Sequence, residues 1–115
     1  MSFIYNPTVD QGASWSVEVQ YLDNNDVPIN LTGFDARMQL RTDYSDAVAD
    51  LTLTSAAGEI VITGATGKVL VNMTSAQTGG LVQTFYLYDL EVFSGSNVIR
   101  LIQGQITVAG EVTRD

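Results

Sequence analysis

Histidine and cysteine are absent from this chain of 115 residues, and lysine and arginine together number 5 against 13 aspartates and glutamates. Without cysteine there is no disulfide framework and no thiolate to hold a metal, so stability rests on apolar burial and backbone hydrogen bonding. Without histidine the usual general base of hydrolases, the commonest zinc ligand and an ordinary Ser-His-Asp arrangement are missing, and no enzyme and no catalytic residue is expected. A formal net charge of −8 repels a phosphate backbone, which argues against nucleic acid as a partner. No apolar run approaches the roughly 18 residues of a membrane-crossing helix, so no membrane partner is expected. The opening stretch MSFIYNPTVDQ has neither a basic region nor a long apolar core, so no secretion signal is expected there.

What the chain does have is alternation. Apolar and polar residues exchange with period two from end to end, and no segment carries the 3.6-residue period of a substantial amphipathic helix. In SWSVEVQYL, residues 14–22, Trp15, Val17, Val19 and Tyr21 fall on one side and Ser16, Glu18 and Gln20 on the other, with Trp15 expected as the central plug of the core. In FDARMQLR, residues 34–41, Phe34, Ala36, Met38 and Leu40 face inward, which sends Arg37 and Arg41 outward. Short strands follow in LTLT, EIVIT and KVLVNM, separated by the turns SAAG and GATG, and TSAQTGG, residues 74–80, has Thr74 or Ser75 to cap a single helical turn. The expected fold is all-β: an immunoglobulin-like sandwich of about seven strands with at most one short helical turn. It forms one domain over residues 1–115, with short extensions at 1–12 and 109–115.

The clearest hairpin joins TFYLYDLEVF to VIRLIQGQITV through SGSN. If that loop sets the register, Glu91 lies opposite Arg100, and the two are expected to form an outward ion pair worth roughly 0.2–1 kcal/mol. Ile106 and Val108 have the opposite parity to Ile99 and Leu101, so the strand must change faces, and Gly104 is the expected bulge. With Tyr86, Tyr88, Leu90 and Val92 committed inward, period two sends Phe85, Leu87 and Phe93 outward, and a strand apolar on both faces needs cover from elsewhere. Phe85, Leu87 and Phe93, with Arg37 and Arg41, therefore form the candidate interface. From the sequence alone the arginines are read as solvated strand positions that keep the edge soluble, ahead of a surface that meets an acidic partner.

Sites with bound groups fare poorly. GATGKV lacks the first glycine and the Ser or Thr of a phosphate loop. DNND, residues 23–26, and the loop bearing Asp43, Asp46 and Asp50 offer oxygen ligands without the spacing of a calcium loop. No metal and no cofactor is expected.

Three stretches together carry a resemblance: GASWSVEVQYLDNNDVPINLTGFDARMQLR, then YLYDLEV, then RLIQGQITVAGEVTR. The chain resembles a family of small bacteriophage virion proteins that includes the N-terminal domains of tail fibres and baseplate upper proteins. Pro28 to Arg41 carry the pattern PI-(D/N)-LTG and AR-M-Q-(I/L)-R, Tyr86 to Glu91 the YxYDLE element, and Glu111 to Arg114 the terminal EVTR. The resemblance implies an immunoglobulin-like sandwich with a structural or adaptor role in the virion, acting on other phage structural proteins without chemistry. It also implies a homo-oligomer, a trimer being the first expectation, and raises the prospect that Arg37 and Arg41 dock a neighbouring subunit. A receptor- or carbohydrate-binding adhesin is the alternative.

Overall fold

The computed structural model describes residues 3–110. Among these residues nine strands run in the order β1 (Phe3–Ile4), β2 (Thr8–Asp10), β3 (Trp15–Gln20), β4 (Asp35–Arg41), β5 (Leu51–Thr54), β6 (Ile60–Thr63), β7 (Lys68–Met73), β8 (Phe85–Ser94) and β9 (Asn97–Ala109). They form two sheets. One has the order β1-β9-β8-β4-β5, with β2 also beside β9, and the other the order β3-β7-β6. The protein is a β-sandwich.

Alternation explains which side of each strand is dry. Ala36, Met38 and Leu40 of β4 and Tyr86, Tyr88, Leu90 and Val92 of β8 are buried, while the residues between them lie at the outer surface. Between β7 and β8 the chain makes one α-helical turn, α1 (Ser75–Gly79). Its cap is reciprocal: the Thr74 hydroxyl accepts from the Gln77 amide at 3.1 Å, and the Gln77 side chain accepts from the Thr74 amide at 2.8 Å. The GATG turn closes as a 3₁₀ turn over Gly64–Thr66, and Gly67 follows at φ 65, a left-handed conformation natural to glycine.

The hairpin register is as the loop predicts. Ser94 pairs with Asn97, the loop reduces to Gly95 and Ser96, and Glu91 faces Arg100. Gly95, at φ 60 in the first loop position, gives the turn the twist that suits its strands. The change of face occurs elsewhere than at Gly104. Leu90 pairs with Ile102 while Glu91 pairs with Arg100, so Leu101 is the extra residue of the bulge. Leu101 and Ile102 are both buried, and two adjacent inward apolar side chains are what a bulge produces. Gly104 serves a different need: the N-terminal segment crosses it so closely that a Cβ would meet the Tyr5 carbonyl.

Two further expectations need correction. Of the expected extension at 1–12, the described part is a margin of the larger sheet, since β1 and β2 pair in parallel with β9 at Ile102–Gln103 and at Thr107–Ala109. Local alternation could not reveal this, because the partner strand lies at the far end of the chain. Trp15 is not the central plug. It opens an edge strand and packs on the core from the side, partly in water, whereas the centre is filled by Met38, Leu40, Leu53, Leu90 and Ile106, each 0% exposed. Of the extension at 109–115, Ala109 ends β9 and residues 111–115, with the EVTR motif, lie outside the described residues.

Candidate functional site

The outward side chains of β4, β8 and β9 lie in rows fixed by strand register. Asp35, Phe93 and Val98 form the first row; Arg37, Glu91 and Arg100 the second; Gln39, Asp89 and Gln103 the third; Arg41, Leu87 and Gln105 the fourth; Phe85 and Thr107 the last. All five candidate interface residues, Arg37, Arg41, Phe85, Leu87 and Phe93, therefore share the outer face of the six-stranded sheet. They do not form one patch. Two polar rows separate Phe93 at one end from Leu87 and Phe85 at the other.

At the Phe93 end, the Arg37 guanidinium carbon lies 4.5 Å from the Phe93 ring centroid, and Arg37 Nε donates to Glu91 Oε1 at 3.0 Å. The cation thus covers the ring that period two turned outward. The ion pairing differs from the expected Glu91–Arg100 bond. Glu91 binds Arg37, its direct neighbour on β4, and Arg100 reaches diagonally to Asp89 with Nε 3.5 Å from Oδ2. The sequence could not decide between these partners, because it does not say that β4 lies beside β8.

At the other end the surface sinks into a concave region of about 530 Å³. Gln39, Asp89, Gln103 and Gln105 form its polar floor, and Leu87, Ile4 and Tyr44 add apolar surface. Arg41 is held across it, donating from Nη1 to Gln39 Oε1 at 2.7 Å and from Nε to the Asp46 carbonyl at 3.1 Å. Arg100 donates from Nη1 to Gln103 Oε1 at 2.9 Å. Ile4, beside Gln103, and Tyr44, 87% exposed, had no local signal, but Gln39 shares the parity of Arg37 and Arg41 and was findable from them. Behind the floor, the Tyr88 hydroxyl donates to the Tyr5 carbonyl at 2.6 Å, and burial pushes that phenol's pKa well above its usual value.

Two carboxylates of the neighbouring acidic loop, Asp43 and Asp46, are engaged within it. Asp43 Oδ1 accepts from the Ser45 amide and hydroxyl, which holds its pKa below the usual value, and Asp46 Oδ2 accepts from the Thr42 hydroxyl.

Asp89 is a perturbed carboxylate of this face. Burial raises its pKa, the nearby Glu91 adds to the rise, and Arg100, Arg41 and Arg37 offset part of it. The net direction is upward, so desolvation outweighs the Arg100 ion pair, which is long and partly exposed. An acid whose folded pKa exceeds its unfolded value destabilises the fold once ionised. The penalty sets in as pH rises through the ordinary value of 3.8 and is complete above the raised value. Asp89→Asn is therefore expected to melt above wild type at neutral pH, with the gap closing as pH falls below 3.8. A variant that melts lower at neutral pH would show that the Arg100 contact dominates instead.

No protein-family model matches the chain, and no curated protein matches it.

Proposed function

We propose that this chain is a non-enzymatic structural or adaptor protein of a bacteriophage virion, a component of tail fibre, baseplate, neck or head surface. It acts by protein–protein contact through the outer face of its six-stranded sheet. The observation that carries this reading is β8, whose outward positions include Phe85, 53% exposed, and the half-buried Leu87 and Phe93 while its inward positions are already filled by core residues. A large apolar side chain left wholly in water forgoes about 1.5–3 kcal/mol, so a partner surface has most to recover at Phe85 and less at Leu87 and Phe93, which are already half-buried. Mutually bonded polar rows beside them supply a rim of fixed geometry. The sequence resemblance supports a virion setting, other phage structural proteins as partners and a symmetric homo-oligomer, with a trimer as the first expectation.

Sedimentation tests the proposal. Wild type is expected to self-associate as its concentration rises, and the double variant Phe85→Ser, Leu87→Ser to remain monomeric and to fail in particle assembly. A monomeric wild type whose double variant still assembles would end this reading. The second reading, a saccharide-binding adhesin, is favoured by Tyr44 standing exposed beside a concavity floored by three carboxamides and the Asp89 carboxylate. Saccharide binding that is lost in Tyr44→Ala would select it.

A further inference from the structure

The two sheets finish their edges differently. One margin of the larger sheet is made by β1 and β2, of 2 and 3 residues, and the other by β5, of 4 residues. In the smaller sheet β7 is central, which leaves β6, of 4 residues, and β3, of 6 residues, at the margins. Short edges resist the addition of a foreign strand, and long regular ones invite it. β3 pairs with β7 over six consecutive positions with no bulge and no proline, and among the described residues its other side meets no strand. Its single charged residue, Glu18, points away from the core.

The side chains along that edge are also unfinished. Trp15 lies opposite Met73, Val17 opposite Val71 and Val19 opposite Val69. On the central strand these three are 1%, 0% and 0% exposed, while Trp15, Val17 and Val19 remain only partly buried although they pack on the same core. The difference arises because β7 has a neighbour on each side and β3 has one. A strand laid beside β3 would complete both the backbone ladder and this burial.

Charge indicates what such a strand carries. The surroundings of β3 are predominantly acidic: Asp10 ends β2 just before it, Glu18 lies on it, and Asp23 and Asp26 occupy the turn that follows, against one cation, Lys68, opposite Gln20 on β7. Arg37, Arg41 and Arg100 all lie on the outer face of the other sheet. We propose that β3 accepts an extended segment of another protein, alternating apolar residues with lysine or arginine, as a fourth strand of the smaller sheet. Its apolar side chains would fall beside Trp15, Val17 and Val19, and its cations beside Glu18. A second copy of this chain, with net charge −8 and its own Glu18, is the poorer match. The surface is separate from the outer face of the six-stranded sheet, and the inference stands without the function proposed for that face.

The test is amide hydrogen exchange on the intact protein with three synthetic peptides: one alternating valine and lysine, one alternating valine and glutamate, and one with the valine–lysine composition arranged in blocks. The alternating valine–lysine peptide is expected to slow exchange of the solvent-facing β3 amides by about tenfold or more, and the other two to have little effect. Val17→Lys, which sets a charge on the inner side of the edge, is expected to abolish the protection while the protein still melts cooperatively. The peptide comparison decides the matter even if that variant does not fold. Failure of the alternating valine–lysine peptide to protect β3 would overturn the inference, as would equal protection by the glutamate peptide. So would β3 amides already protected without peptide, which would mean that this chain or a second copy occupies the edge.

Discussion

Leu90→Ala is expected to lower stability by about 2–5 kcal/mol, more than Trp15→Ala even though tryptophan is the larger side chain. Leu90 lies mid-strand on β8 with β4 on one side and β9 on the other, directly opposite Met38 and Ile102. Leu90 and Met38 are 0% exposed and Ile102 is 4% exposed, so truncation leaves a cavity that rigid strands on both sides cannot collapse. Among the described residues Trp15 has a neighbouring strand on one side only, and its side chain is only partly buried. Its removal is expected to cost roughly 1–2 kcal/mol, because part of its surface was never taken from solvent. Urea melts of the two variants check the order. Equal losses, or a larger one for Trp15→Ala, would make the tryptophan the anchor of the sandwich after all.

Gly104→Ala should release the first strands from the sheet. The chain at Tyr5 and Asn6 lies against the Cα of Gly104, and the space a methyl group needs is filled by the Tyr5 carbonyl. Several bonds hold this segment: Tyr5 N–H donates to the Gln103 carbonyl at 3.0 Å, Gln105 N–H to Asn6 Oδ1 at 2.9 Å and Thr107 N–H to the Pro7 carbonyl at 3.1 Å. The Tyr88 hydroxyl adds its bond to the Tyr5 carbonyl. A side chain at 104 must push that carbonyl away and strain or break the set, a loss of about 1–3 kcal/mol by analogy with overpacked sites. The effect is local, so exchange of the amides from Tyr5 to Asp10 should accelerate while β4 and β8 keep their protection. Gly110→Ala, where an added Cβ meets nothing within 4 Å, is the control and should be close to neutral. Unchanged exchange in the Gly104 variant would show that the N-terminal segment can shift without penalty.

What was legible in the sequence was whatever one strand can say about itself. Period two placed Arg37 and Arg41 outward, committed Tyr86, Tyr88, Leu90 and Val92 inward and so exposed Phe85, and Thr74 announced a capped helical turn. What escaped depends on which strands become neighbours. The partner of Glu91 is Arg37 because β4 lies against β8, a fact of sheet order absent from either segment alone. Trp15 has the composition of a core residue and the position of a marginal one. The role of Gly104 was hidden because the atoms that require a glycine there belong to Tyr5 and Asn6, at the other end of the chain.

That last separation also orders events in time. Asn6 and Gln105, which share a hydrogen bond, are 99 positions apart. β1 and β2 have no sheet to join until β9 has been made, which at ordinary rates of synthesis is about 5–20 s after their own translation. Every other strand can pair earlier with one nearer in sequence, as β5 with β4, β7 with β6 and β8 with β4. The N-terminal strands therefore stay undocked until β9 has been made, and their parallel pairing with it is a contact of long sequence separation, of the kind that forms slowly.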